Sequence, residues 1–332
     1  MADRGLASRA SIERAFTLRS GWRGFERFAT IIGFVAMFAV FWILKPGVFG
    51  TWESVKTILD QAAVVVILAV GLTVVMTAGE FDLSFPGLVG LSAVVGVKAM
   101  SSGHADPALA VVLALATGLA GGLVAGLLVA TKRTSSFITT LALNTVWGGL
   151  ALGISGGGGS TIVNIPLSYT TITSTRILGI TLPVFYALGV SILIGLLLRA
   201  TVFGRNARAI GENPDAARLS GVRLGVSRTA AFAVMGVCAG MAAVILSSKT
   251  AQYTPNIDAG LFIPPFVAAF FGISVLAVGR FNVLGTVVGA LFIGTLETGL
   301  IVIGSQAWVG EMVVGAALLT ILFISAQTRE AR

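Results

Sequence analysis

The stretch FGRNARAIGENPDAARLSGV, residues 203–222, is polar, basic and helix-friendly, and it lies between two long apolar runs. A chain embedded in lipid has little reason to keep such a segment in one of its loops unless something docks there. Within it, Asn213 is a good N-cap for a helix that begins at Pro214, whose fixed φ suits the first helical position. Asp215 falls in the first turn, where the helix dipole favours a carboxylate. Gly221 can close the helix in the left-handed conformation. The spacing predicts a helix over 214–220 of about two turns, with Arg205, Arg208, Arg218 and Arg223 around it.

Outside this segment the composition dictates the class. Of 332 residues, 56% are hydrophobic and 11% charged, whereas soluble domains carry about 25% charged residues. Mean hydropathy is +0.96. A water-soluble fold cannot hide so much apolar surface, so the chain reads as an all-α, polytopic membrane protein. The 42 glycines fit close helix packing in lipid. Gly118, Gly122 and Gly126 recur every four residues and line one helix face. The net charge of +8 does not point to nucleic acid, because the basic residues sit in the gaps between apolar runs. Cys238 is the only cysteine, so no intrachain disulfide exists. His104 is the only histidine and lies in the short loop SSGHADP, which reads as solvated rather than metal-binding.

Apolar runs separated by turn or charge signals give about ten spans: 28–44, 55–78, 83–100, 107–130, 137–154, 182–200, 229–246, 261–278, 283–303 and 308–324. Pro86 and the pair Pro264-Pro265 predict broken or re-entrant segments near 79–86 and 261–266. Residues 1–27 form a basic tail or an interfacial helix, with Arg4, Arg9, Arg14, Arg19, Arg23 and Arg27 interleaved with apolar residues. Residues 28–326 form one membrane domain, its polar loop at 203–224, and 327–332 the C-terminus. With the N-terminus inside and ten alternating spans, the inside collects the tail arginines, Lys132, Arg133, the six arginines from Arg199 to Arg228, Arg280, Arg329 and Arg332. Lys45, Lys56, Lys98, Arg176 and Lys249 are left over. That asymmetry predicts both termini and the 203–224 loop in the cytoplasm. Residues 155–181, with four consecutive glycines and no apolar run, read as a flexible external loop.

No catalytic constellation is present. The sequence has no Gly-Lys dipeptide and hence no Walker A loop, no His-Glu-x-x-His and no cysteine pair. This argues against an enzyme and against a resident ATP site. Polar points in apolar surroundings are candidates for a solute path. They are Glu80, Asp82 and Ser84 between the second and third spans, Asn144, and Glu297, with Phe270 and Phe271 as a candidate aromatic constriction. Each has a structural alternative. Asp82 or Ser84 can cap the next helix, Asn144 can bind helices together, and the phenylalanines can be packing.

Four blocks carry a family resemblance: GLTVVMTAGEFDLSFPGLVGLSA, SSFITTLALNTVWGGLAL, the opening stretch, and VGRFNVLGTVVGALFIGTLETGL. Together they resemble permease subunits of ATP-binding-cassette importers, in the ribose/simple-sugar branch that is related to branched-chain amino-acid permeases. The resemblance implies a ten-helix subunit that pairs with a second permease subunit, identical or not, around a central path. It implies two cytoplasmic ATPase subunits that carry ATP and Mg, and an external solute-binding protein. Carried over, Arg205 and the run Asn213, Pro214, Asp215, Ala216, Ala217, Arg218 to Gly221 form the ATPase-coupling segment, and the Asp82 region lies near the path. The chain departs from the usual pattern at Glu80-Phe81-Asp82, Phe85-Pro86, Phe271-Gly272-Ile273 and Glu297-Thr298. The expected solute is a sugar or sugar-like compound, with amino acids or nucleosides as alternatives. A self-sufficient secondary transporter would show an inverted repeat with charges paired at midplane; the sequence has no convincing repeat and one deep acid.

Overall fold

The computed structural model describes residues 32–103, 105–131, 135–157, 159–275 and 280–330, with the backbone alone for 274, 275, 307 and 321–330. The basic segment 1–27, His104, Lys132 and Arg133 lie outside the described residues. The helices in chain order are α1 (Ile32–Leu44), then α2 (Pro46–Phe49), α3 (Trp52–Thr77), α4 (Phe85–Ser101), α5 (Pro107–Ala130), α6 (Ser136–Ile154) and α7 (Leu167–Ser174). There follow α8 (Leu182–Ala200), α9 (Val202–Glu212), α10 (Pro214–Leu219), α11 (Leu224–Thr250), α12 (Ile263–Val275), α13 (Val283–Val302) and α14 (Ala307–Glu330). Among the described residues, six helices (α3, α5, α6, α8, α11 and α13) are long and apolar enough to cross a membrane, and four apolar helices are shorter. This is a polytopic helical membrane protein.

Helix α3 is the core: the residues from Ala62 to Met76 are all buried, and α8, α11, α12 and α13 pack around it. A helix that is apolar on every side is stable only when enclosed. The most extensive helix pair is α5 with α11, and the glycine stripe explains it. A Cβ at Gly118 would collide with the Gly236 carbonyl oxygen, at Gly122 with that of Phe232, and at Gly126 with the Thr229 backbone. The two backbones therefore touch, which is the geometry that small residues permit in lipid.

The packing order recurs along the chain, although the sequence gives no convincing repeat. Helix α4 packs on α5 and α6, as α12 packs on α13 and α14; α5 packs on α11, as α13 packs on α3. Each short helix, α4 and α12, follows a non-helical segment, 78–84 and 251–262. Breaks are present near both expected places, but they lie ahead of the prolines: Pro86 and Pro264-Pro265 sit in the first turns of α4 and α12, and 263–266, expected to be broken, is helical.

Residues 155–181 are not the featureless loop expected. They hold α7 and an antiparallel hairpin, β1 (Arg176–Ile177) with β2 (Ile180–Thr181). Helix α7 lies on α11 through buried polar contacts. The Tyr169 hydroxyl shares a hydrogen bond with Ser247 at 2.9 Å, and Thr173 shares one with Ser248 at 2.9 Å. Burial pushes the Tyr169 phenol above its usual range. Hydropathy alone missed this element because its anchors are hydroxyls.

The glycine contact yields a prediction. Gly122→Val should overpack the α5–α11 seam at a cost of about 1–3 kcal/mol or more. Thermal unfolding of the detergent-solubilised chain should show a clearly lowered Tm, whereas Gly189→Ala, with no atom within 4 Å of its added Cβ, should leave Tm unchanged.

Candidate functional site: the hairpin of residues 202–222 and the broken helix

The opening stretch folds as two helices where one was expected. Thr201 caps α9, accepting from Gly204 N at 3.2 Å. Gly204, Ala207 and Ile210 are buried, while Arg205 and Arg208 are exposed, so α9 is amphipathic. Asn213 then caps α10: its Oδ1 accepts from Asp215 N at 3.1 Å and Ala216 N at 3.0 Å, with Pro214 at the first position. Asp215 also pairs with Arg218 at 3.4 Å, an exposed contact of small energetic weight.

The end of α10 is closed by Gly221 at φ 83°. Val222 N donates to Ala217 O and Gly221 N to Arg218 O, both at 3.0 Å. That double bond is the Schellman closure, which satisfies carbonyls the helix leaves open. Ala217 and Leu224 join Ile210 in a small buried cluster, with Val222 packed against it. The hairpin of α9 and α10 thus has its own core. At its tip Leu219 is 87% exposed, an apolar knob at the aqueous end that the sequence reading did not single out.

This hairpin is fastened to the bundle at two points, and a third contact braces the bundle beside it. Gly211 lies against the α3 terminus, where a Cβ would collide with the Thr77 carbonyl oxygen, and faces Gly79. Glu212 pairs with Arg280, ahead of α13, at 2.8 Å. Just beyond Gly79, Glu80 Oε1 lies 2.7 Å from Arg228 Nε at the start of α11, with both side chains nearly buried. The Nε–H points off the line to the carboxylate and makes no hydrogen bond, so the contact is Coulombic. Glu80 therefore ties the hairpin end of the bundle together.

Asp82 and Ser84 are buried and serve the broken helix. Asp82 Oδ1 accepts from Ser84 N at 2.7 Å and from Ser84 Oγ at 2.6 Å. Ser84 occupies the N-cap position of α4 but makes no side-chain cap of its own. The caps come from α6. Ser136 Oγ accepts from Phe81 N at 3.2 Å, Thr140 Oγ1 from Leu83 N at 2.9 Å, and Asn144 Oδ1 from Gly87 N at 2.8 Å. These three side chains recur every four residues, so one face of α6 forms a polar ladder against the non-helical chain and the first turn of α4. Ser136 and Thr140 were missed in the sequence because hydroxyls within helices ordinarily signal nothing.

The remaining candidates lie elsewhere. Phe270 packs on Phe281 with ring centroids 5.9 Å apart, and Phe271 stacks on Phe292 at 4.9 Å; both rings are in packing contacts. Glu297 lines a cavity of about 580 Å³ at the end of the bundle opposite the hairpin, with Phe262, Pro264, Gln306 and Glu311. Asp258, in the segment ahead of α12, lies where a Cβ on Gly90 of α4 would come within 3.3 Å of its Oδ1. Burial raises its carboxyl above the usual carboxylate range. The structure thus separates the candidates into a hairpin end, with Glu80, and an opposite mouth, with Glu297; Asp82, Ser84 and Asn144 hold the chain between.

The fold is a polytopic helical bundle with a self-capped hairpin at one end. Residues 54–322 match the family of branched-chain amino acid transport system permease components. The chain belongs to that family and is a permease subunit of an ATP-binding-cassette importer. It is similar to the ribose import permease of Bacillus subtilis (strain 168), with 30% identity over 294 residues, 89% of this chain and 91% of that protein. The D-allose transport permease of Escherichia coli (strain K12) is 27% identical, covering 95% of each chain. The autoinducer 2 import permease of Enterobacter sp. (strain 638) is 28% identical, covering 91% of this chain and 87% of its own.

The polar ladder is testable. Asn144→Leu removes the acceptor for Gly87 N–H and should cost about 1–3 kcal/mol, read as a lowered Tm. For the ion pair, Arg228→Met should destabilise more than the double variant with Glu80→Leu, because removing one partner leaves the other charge buried alone.

Proposed function

We propose that this chain imports a small sugar or sugar-like solute as one half of a dimeric permease with ten spans and both termini in the cytoplasm. Two ATPase subunits, which carry ATP and Mg, dock on the hairpin of α9 and α10, and an external binding protein delivers solute to the opposite mouth. The observation that carries this reading is the capped α10 helix. It presents Leu219 to water and is joined through Gly211–Gly79 and Glu80–Arg228 to the chain that enters the bundle. Movement of α10 against an ATPase cleft then moves the α3–α4 junction. Arg205 and Arg218 flank the tip and set its charge. Ten spans follow if the four shorter apolar helices cross together with their non-helical extensions. Ten alternating spans would gather 17 of the 22 basic residues on the hairpin side, which supports the cytoplasmic placement of that side. The sugar class is supported by relatives named for ribose and D-allose. Glu297 and Asp258 near the outer mouth are suitable acceptors for solute hydroxyls.

The test is reconstitution with a cognate ATPase and binding protein. Uptake and solute-stimulated ATP hydrolysis should require all components, and the chain alone should not hydrolyse ATP. Gly221→Val places a β-branched side chain at positive φ, costing about 1–2 kcal/mol of local strain. It and Leu219→Asp should each cut coupled uptake severalfold while the chain still inserts. A binding protein that responds to amino acids and to no sugar would overturn the solute class. Cysteine at Ser160 should be labelled from outside and at Ser220 from inside; external labelling of Ser220 would reverse the orientation.

A further inference from the structure

A groove of about 850 Å³ runs along the bundle where α8 and α13 stand apart over α3. Ala62, Ala63 and Val66 form its floor, with Leu188 and Leu196 on one wall and Leu291 on the other. From Val184 to Arg199 the α8 wall rises about 22 Å at 1.5 Å per residue. One leaflet fills about 15 Å, half of a 30 Å hydrocarbon core. The groove is therefore long enough for an acyl chain and a head group. Its sides are open, with Leu188 57%, Leu196 56% and Leu284 70% exposed, and at Gly195 an added Cβ would meet nothing within 4 Å.

The chemistry changes at one end. Arg199, Arg208 and Arg280 stand there beside a single acid, Glu212. Arg280 is paired with Glu212 at 2.8 Å, and the Arg208 guanidinium donates to the Leu198 carbonyl. Arg199, exposed in the last turn of α8, has no ion pair or hydrogen bond among the described residues. A long apolar slot that ends in excess positive charge matches the two halves of an anionic lipid, and basic pockets between spans are recognised settings for such head groups.

We propose that this groove holds an anionic phospholipid, with its phosphate between Arg199 and Arg280 and an acyl chain along α8 and α13. The cytoplasmic leaflet as its source rests on the orientation proposed above; the groove itself does not. A free phosphate would leave the apolar walls unfilled.

The experiment uses the purified importer complex, delipidated and then equilibrated with vesicles of phosphatidylglycerol or phosphatidylcholine of equal chain length. Bound lipid is counted by native mass spectrometry. Phosphatidylglycerol should be retained over phosphatidylcholine by roughly thirtyfold, as the net two positive charges that Arg199, Arg208 and Arg280 leave over Glu212 would give near a lipid surface. Arg199→Gln with Arg280→Gln should erase that preference while the complex stays assembled. Gly195→Trp should lower retention of both lipids by filling the slot. Equal phosphatidylglycerol in the parent and the double arginine variant would overturn the proposal. So would retention unchanged by Gly195→Trp, or cysteine cross-linking from position 192 to the second permease subunit, which would mean that protein covers the groove. If Ser220 proves external while retention still tracks the arginines, the orientation fails and the lipid site stands in the other leaflet.

Discussion

Inside a bilayer a backbone amide has no water to turn to, and every N–H outside a helix must find a partner in the protein. The chain from 78 to 84 leaves helical geometry where an otherwise helical bundle meets the hairpin, and much of the architecture answers that single demand. The α3 terminus closes on itself, with Gly79 N donating to Met76 O and Glu80 N to Val75 O. Beyond it, α6 supplies an acceptor every four residues to Phe81, Leu83 and Gly87. Helix α6 is thus fixed in rotation by the need to face this segment, and α4 is fixed in height by where the ladder ends.

The same region meets the aqueous hairpin. Gly211 and Gly79 touch at the backbone, Glu80 reaches Arg228, and Glu212 reaches Arg280. At the far end of the bundle, Asp60 of α3 binds Lys249 of α11 at 2.8 Å and accepts from Thr181 at 2.5 Å. Helices α3 and α11 are therefore pinned at the far end by one ion pair and drawn together at the hairpin end through Glu80 and Arg228. The contacts of α9 therefore reach the junction of a buried helix and a non-helical stretch of chain directly.

What was legible in the sequence is what depends on neighbours in the chain. The N-cap at Asn213, the proline after it and the left-handed Gly221 are local chemistry, and the structure has them at those residues. The breaks near Pro86 and Pro264 were legible for the same reason, and the glycines of α5 declared a close contact although not with which helix. Illegible features depend on partners distant in sequence. Ser136 and Thr140 look like ordinary helix hydroxyls until the segment beside them is known. Helix α7 lacks an apolar run because Tyr169 and Thr173 dock through hydroxyls. The recurrence of packing order between α3–α6 and α11–α14 is carried by shape and small residues, which many sequences satisfy. Leu219 gave no signal because an isolated leucine in a polar loop is common.

The ladder between α6 and the 78–84 segment has a mechanical consequence. To change the length of a continuous helical span, consecutive turns must unwind cooperatively in a medium that offers no substitute partners. The non-helical segment is held instead by two side-chain hydroxyls, those of Ser136 and Thr140, and the first turn of α4 by the Asn144 amide, each of which contributes about 1 kcal/mol net. The break between α3 and α4 is therefore held by contacts that can be lost one at a time, each at a cost below that of melting a turn of helix.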